Sequence, residues 1–223
     1  MSDKNVPNEA NPMPDFEYVL HMIYLVLGKW FHSLLRWYES FFTLDQKDQF
    51  LVYANLVNHY RGKGKLDKAI HMATKAVKIA PTGKKEGVQK SLAELYFLVG
   101  DIAAAKKNFE EVLKAVDDAE VKTKLASIYS EEGNLESAIK LYTEALDKNK
   151  KDHESMFLLA QLYDKAERSD EVITTLKEAL VLSPESISYH QYLGFTYESM
   201  DRHKDAVPHF KKVMELEQAL ANQ

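Results

Sequence analysis

Cysteine is absent from the 223-residue chain, which excludes a disulfide framework, a thiolate metal site and a cysteine nucleophile. Glycine and proline are scarce, at 8 and 6 residues. With Ala, Leu, Lys and Glu abundant, that scarcity favours a mostly helical chain with short connections over a sheet-based nucleotide fold. There is no Gly-rich phosphate loop, no nucleophile elbow and no HExxH pair, so no enzymatic function is expected. An excess of positive charge is also missing. The 29 Lys and Arg against 34 Asp and Glu leave a net −5, which argues against nucleic acid as a partner of the whole chain. The eight histidines are scattered: neither His203 with His209 nor His21 with His32 has the i, i+4 spacing that aims two imidazoles at one metal. No metal and no cofactor is expected.

Long hydrophobic runs are lacking as well. The most apolar stretch begins at Phe16, but Glu17, Lys29, Arg36 and Glu39 interrupt it, and its longest uncharged part runs only from Tyr18 to Gly28. Crossing a bilayer takes about 20 apolar residues, so residues 16–42 predict a buried or interfacial helix. Residues 1–15, rich in proline and without periodic pattern, predict a disordered tail with no signal peptide.

What the chain does contain is repetition. Tyr60, Tyr96, Tyr129, Tyr163 and Tyr197 recur about every 34 residues. Four residues before each stands Leu56, Leu92, Leu125, Leu159 or Leu193, followed by Val57, Ala93, Ala126, Ala160 or Gly194. Nine residues after each tyrosine comes Ala69, Ala105, Ala138, Val172 or Ala206, and four further on Ala73, Phe109, Tyr142, Leu176 or Phe210. Leu and Tyr four apart share one face of a first helix, and the small residue between them lets a second helix approach closely. Gly64, Gly100 and Gly133 mark the turn, with Asp101 and Asn134 as helix caps. Thr43 with Gln46 predicts a capping box opening the first unit, and Ser183-Pro184-Glu185 predicts the start of the last. Pro208 predicts a tolerated bend near the start of its helix.

These five units, from about residue 44 to 217, resemble the tetratricopeptide repeat. The resemblance implies an all-α, right-handed superhelix of antiparallel helix pairs over residues 43–223. Tyr24, Leu27, Gly28 and Phe31 echo the motif once more, so residues 16–42 read as a degenerate, truncated repeat. In the stretch 197–212, Pro208-His209-Phe210 departs from the general repeat and resembles magnetosome-associated members of the family. That likeness implies a soluble cytoplasmic scaffold that coats the outside of the magnetosome membrane, self-assembles through its N-terminal part and recruits proteins in a concave groove.

Family resemblance further implies that first-helix residues line the groove: Asn58 and Arg61; Lys90, Glu94 and Phe97; Ser127 and Glu131; Phe157, Gln161 and Asp164; Gln191, Phe195 and Glu198. A chaperone-tail clamp is not expected, because Ala54 stands beside Asn58. Charge is uneven along the chain. Residues 50–85 carry eight basic side chains and one acid, whereas residues 86–223 carry 17 basic and 26 acidic. Arg61, Lys63, Lys65, Lys68, Lys75, Lys78, Lys84 and Lys85 form this basic patch. Acidic lipid heads or an acidic protein, the acidic end of another copy, and simple solubility all account for it. Tyr24, Leu27, Trp30, Phe31, Leu34, Trp37 and Phe41 follow a three-to-four spacing. They predict either a cap on the first unit or a repeatable contact with another copy. The expected role is a non-enzymatic, self-assembling scaffold; the alternative is a monomeric adaptor for chaperone or secretion clients.

Overall fold

The computed structural model describes residues 45–222, and Val19 by itself. The tail 1–15, the truncated repeat 16–42 with its self-assembly residues Tyr24 to Phe41, and Thr43 therefore lie outside the described residues, Val19 excepted. The described residues form ten helices and no strand. In chain order these are α1 (Gln46–Gly62), α2 (Leu66–Ile79), α3 (Lys85–Leu98), α4 (Ile102–Ala115), α5 (Ala119–Glu131), α6 (Leu135–Lys148), α7 (His153–Lys165), α8 (Ser169–Leu182), α9 (Ile187–Ser199) and α10 (His203–Ala221). They fall into two compact units, Met1–Pro81 and Thr82–Gln223.

In the first unit α1 and α2 form one hairpin. Phe50, Leu56, Val57 and Tyr60 on α1 and Ala69, Met72, Ala73 and Ala76 on α2 are buried, large side chains on one helix facing small ones on the other. The expected capping box is not the start of α1. Asp45 is the N-cap and accepts from the Asp48 amide at 2.7 Å. Gln46 instead donates from its side chain to the Ile79 carbonyl at 3.2 Å, closing the far end of the hairpin.

The second unit stacks four hairpins in sequence, α3 with α4, α5 with α6, α7 with α8 and α9 with α10, each second helix also packing on the next first helix. Leu92, Leu125, Leu159 and Leu193 are buried, as are Ala105, Ala138, Val172 and Ala206. The core passes from hairpin to hairpin: Phe109 of α4 meets Val121, Leu125 and Ile128 of α5, Ile139 of α6 meets Leu159 and Leu162 of α7, and Ile173 of α8 meets Tyr189 and Leu193 of α9. Each hairpin alone would leave one such row in water, so stacking is what buries it.

The turns follow the local chemistry. Gly100 and Gly133 adopt φ of 82° and 79°, and Asp101 and Asn134 cap the helices that follow, accepting from the amides of Ala104 and Ser137. In the last two hairpins the same left-handed position holds Glu167 and Asp201, at φ of 58° and 56°. The cap position there holds Arg168 and Arg202, whose guanidinium carbons each lie 4.7 Å from the ring centroid of the motif tyrosine, Tyr163 and Tyr197. A cation on an aromatic face thus stands where the earlier units place a side-chain cap. Ser183-Pro184-Glu185 does not start α9; the N-cap is Ser186, accepting from the Tyr189 amide. Pro208 is the sixth residue of α10, beyond the turn in which a missing amide costs nothing, so α10 forgoes the bond that this residue would give to the Lys204 carbonyl.

Candidate partner-binding face

The first helices α3, α5, α7 and α9 present one face of the second unit, and the structure separates the groove residues expected there into those that tie repeats together and those that line open space. Lys90 Nζ lies 2.8 Å from Asp118 and 2.7 Å from Glu120, and Lys124 lies 2.9 Å from Glu94 and 2.8 Å from Glu120. Lys90 and Glu94 therefore belong to an ionic rung between α3 and α5. The ammonium of Lys124, then that of Lys90, holds the Glu120 carboxyl down to about 2. Phe97 packs against the core around Phe109. Phe157 lies between Tyr189 and Tyr192, with ring centroids 4.9 and 5.5 Å away, an aromatic rung from α7 to α9. Asp164 accepts from the Tyr192 hydroxyl at 2.7 Å, and burial together with that bond pushes the Tyr192 phenol well up.

Ser127, Glu131 and Gln161 instead meet around a hollow of about 180 Å³ between α5 and α7, with Tyr142 behind it and Leu158 and Lys165 on its rim. Ser127 donates its hydroxyl to the Lys124 carbonyl, Glu131 is exposed, and Leu158 is 42% exposed. A carboxylate, an ammonium, an amide and an exposed leucine around one depression suit a peptide side chain with a polar end and an apolar stem. Lys165 and Leu158 were not among the expected groove residues; both lie one turn from Gln161, and that i±3/4 spacing was the signal for them. Gln191 is half-buried and Phe195 is 64% exposed, edge-on to Phe210 at 5.2 Å. Glu198 pairs with His203 at 2.7 Å. On α1, in the first unit, Asn58 and Arg61 are exposed.

A larger trough, about 650 Å³, lies on the opposite, second-helix side between α6 and α8, floored by Met156 and Leu159 and bordered by Val181 and Lys150. Nothing in the sequence pattern singled it out, because second-helix residues carry the repeat motif only on their inward face.

The basic residues divide between the two units. Arg61, Lys63, Lys65, Lys68 and Lys78 are exposed on the first, while Lys75 is half-buried with its Nζ 5.7 Å from the Tyr53 ring. Lys84 and Lys85 are exposed at the start of α3. Lys65 and Lys84 are N-cap residues without a side-chain cap bond. Lys65, Lys84 and Lys85 thus put positive charge at the positive ends of helix dipoles, where it works against helix stability.

The pair that sequence spacing missed is His190 with His209. Their Nδ1 atoms are 3.0 Å apart, and His190 Nε2 lies 3.0 Å from the Pro184 carbonyl. The Pro184 bond requires a proton on His190 Nε2, so in the neutral pair His190 Nδ1 accepts and His209 Nδ1 donates. Burial, then His190 and Lys177, lowers the His209 pKa. The two residues sit 19 apart on antiparallel helices, a contact that only the hairpin creates. Among the described residues no group of three or more metal-ligating side chains converges, and no helix is long and apolar enough to cross a membrane.

Comparison with known proteins agrees with this architecture. The tetratricopeptide repeat profile matches residues 51–82 and 129–193. Photosystem I assembly protein Ycf3 of Synechococcus sp. (strain CC9311) is 37% identical over 76 residues, covering 32% of this chain and 44% of that protein. The chain thus spans less than half the length of this curated relative. Among solved structures, a crystal structure of MamA protein superposes with a TM-score of 0.71 at 24% identity, over 79% of this chain and 96% of that one. MamA from residue 41 onward of Desulfovibrio magneticus RS-1 gives 0.67 at 25% identity, over 77% and 97%. MamA AMB-1 gives 0.67 at 26%, over 76% and 92%. Tetratricopeptide arrays are non-catalytic scaffolds on which proteins meet. The stacked helical hairpins thus match the tetratricopeptide repeat over residues 51–82 and 129–193, and the chain resembles MamA in fold, an all-α scaffold for protein partners.

Proposed function

We propose that this chain is a self-assembling adaptor that lies on an acidic membrane surface, of the magnetosome type, and holds other proteins along its first-helix face. The observation that carries the reading is the exposed basic set of the first unit, Arg61, Lys63, Lys65, Lys68 and Lys78, with Lys65 at a helix N-terminus against the dipole. Charge kept where it costs the fold a few tenths of a kcal/mol per residue is charge with another use. An anionic surface attracts such residues by about 1 kcal/mol each near the headgroups. The likeness in fold to MamA supports the scaffold role, and the apolar, incomplete segment 16–42 supplies a motive for contact between copies. The hollow at Ser127, Glu131 and Gln161 is the proposed seat of a partner side chain.

Two measurements test it. Co-sedimentation of the full chain with vesicles rich in phosphatidylserine should be strong at low salt and lost at high salt, whereas neutral vesicles leave the chain in the supernatant; equal binding to both kinds rejects the surface role. Light scattering should show assembly of the full chain and none of residues 43–223; equal assembly of the two rejects the N-terminal contact. The match to a photosystem assembly protein favours a second reading, a monomeric adaptor that holds a client during assembly. A monodisperse monomer that captures a short linear peptide would mark that role.

A further inference from the structure

The hairpin of α9 and α10 exposes a row of apolar side chains whose counterparts on α6 and α8 are covered. Val207 occupies the place in its repeat that Ile139 and Ile173 occupy in theirs, each ten residues after its motif tyrosine, Tyr197, Tyr129 and Tyr163 respectively. Ile139 and Ile173 are both 6% exposed, because α7 and α9 cover them; Val207 is 61% exposed. Met214 corresponds to Leu146 and Leu180, both packed against the core that the following repeat completes; Met214 is 57% exposed. Val207 and Met214, seven residues apart, lie on one stripe of α10 with Gln218 and Ala221, a stripe shaped to receive a helix and covered by none among the described residues.

Charge on α10 indicates what covers it. Beside the stripe, the N-terminal half carries Lys204 and Lys211 and the C-terminal half carries Glu215 and Glu217, all exposed; Asp205, the acid in the N-terminal half, is paired with Arg202 at 2.9 Å. Lys212 lies 4.0 Å from Glu215. A helix with cations at one end and carboxylates at the other is complementary to itself when reversed. We propose that the stripe of Val207 and Met214 pairs with the same stripe of a second copy, α10 antiparallel to α10 about a two-fold axis near Met214. The contact is isologous, with Val207 of each copy against Ala221 of the other and Lys211 of each facing Glu215 and Glu217 of the other. It is independent of how residues 16–42 act.

Because the chain has no cysteine, one introduced thiol reads this geometry directly. In the full chain, Met214→Cys places two thiols near the axis and should give a disulfide-linked dimer on mild oxidation; Lys204→Cys, at the far end, should not. A heterologous contact through the N-terminal segment does not bring two copies of position 214 together, so the readout is separate from N-terminal assembly. Carried in the Met214→Cys background, Lys211→Glu should slow cross-linking about tenfold, as the loss of its exposed pairs on both sides of the axis predicts. Glu215→Lys with Glu217→Lys should do the same, and mixing the two variants should restore the wild-type rate. These substitutions are all at exposed positions. No cross-linking at position 214, equal cross-linking at position 204, or a mixture no faster than its components would each overturn the proposal. The last outcome would assign the stripe to a different occupant.

Discussion

A Cβ added to Gly194 would lie 2.8 Å from Cε1 of Phe210, so the ring of α10 fills the space that an alanine would need on α9. At the corresponding positions Ala93, Ala126 and Ala160 are fully buried. In the hairpin of α9 and α10 the large side chain is therefore a ring that comes closer to the first helix than a methyl group there would allow. Gly194→Ala should destabilise by about 1–3 kcal/mol despite the better helix propensity of alanine. Phe210→Leu in the same background should recover part of the loss; a chemical denaturation series on the parent and the two variants checks this.

Glu167 and Asp201 hold a conformation that the earlier turns give to glycine. Glu167→Gly should raise stability by about 1 kcal/mol, because a left-handed backbone is costly for a side chain without a compensating bond. Asp201→Gly should gain less, since aspartate tolerates this region better. Thermal melts of the two single variants against the parent give the comparison.

The ionic rung between α3 and α5 makes a pH-dependent contribution with a defined sign. Glu120 in the folded chain titrates at about 2, below its ordinary value of 4.5, chiefly through its bond to Lys124. Its contribution is thus present above the ordinary carboxylate range and is lost as pH falls through about 2. Glu120 is more than half exposed, so solvent screening keeps the effect to about 1 kcal/mol or less. The stability gap between the parent and Glu120→Gln should close as pH falls across that window, and should narrow with added salt at neutral pH.

His209 carries the opposite ionic logic. Burial and His190 favour its neutral form, so the contribution of the pair is present above the ordinary imidazole range and is lost as pH falls through the lowered folded value. Facing it are His190 and Tyr197 of α9, Lys177 of α8 and Asp205 of its own helix. His209→Gln should flatten the acid limb of a stability profile between neutrality and the carboxylate range. Hydrogen exchange of α9 and α10 in the parent should quicken over that interval ahead of the other helices.

Leu159→Ala should cost about 2–5 kcal/mol, because the side chain is 4% exposed in the row joining α6 to α7. Glu131→Ala should leave stability within about 0.5 kcal/mol while weakening any peptide seated in the hollow between α5 and α7. Calorimetric unfolding, with peptide titration on the second variant, separates the two effects.

Periodicity made the hairpins legible, because the same few positions must repeat whenever the same packing does. Leucines and small residues fell where the repeat required. The motif tyrosines were less uniform: Tyr60 and Tyr197 are buried, while Tyr96, Tyr129 and Tyr163 are half-buried. The hydroxyl of Tyr129 instead reaches Glu110 at 2.9 Å with Lys106 over its ring. First-helix position alone could not tell Lys90 and Asp164, which join repeats, from Glu131 and Gln161, which line a hollow, because that depends on what the next helix presents opposite. Asp118 for Lys90, Lys124 for Glu94 and Tyr192 for Asp164 supply those partners from 28 to 30 residues away. Local spacing carries no record of such pairs. Helix starts were misread where Ser183 and Thr43 had the right chemistry but Ser186 and Asp45 had the right place.

Within Thr82–Gln223 each hairpin leans chiefly on its immediate neighbours in the chain, and among the described residues of a single chain the hairpin of α9 and α10 has such a neighbour on one side only. Tension applied to the C-terminus should peel α10 and α9 away first and leave the remainder standing, as a zip opens from its end. Such a stack yields stepwise under strain rather than all at once.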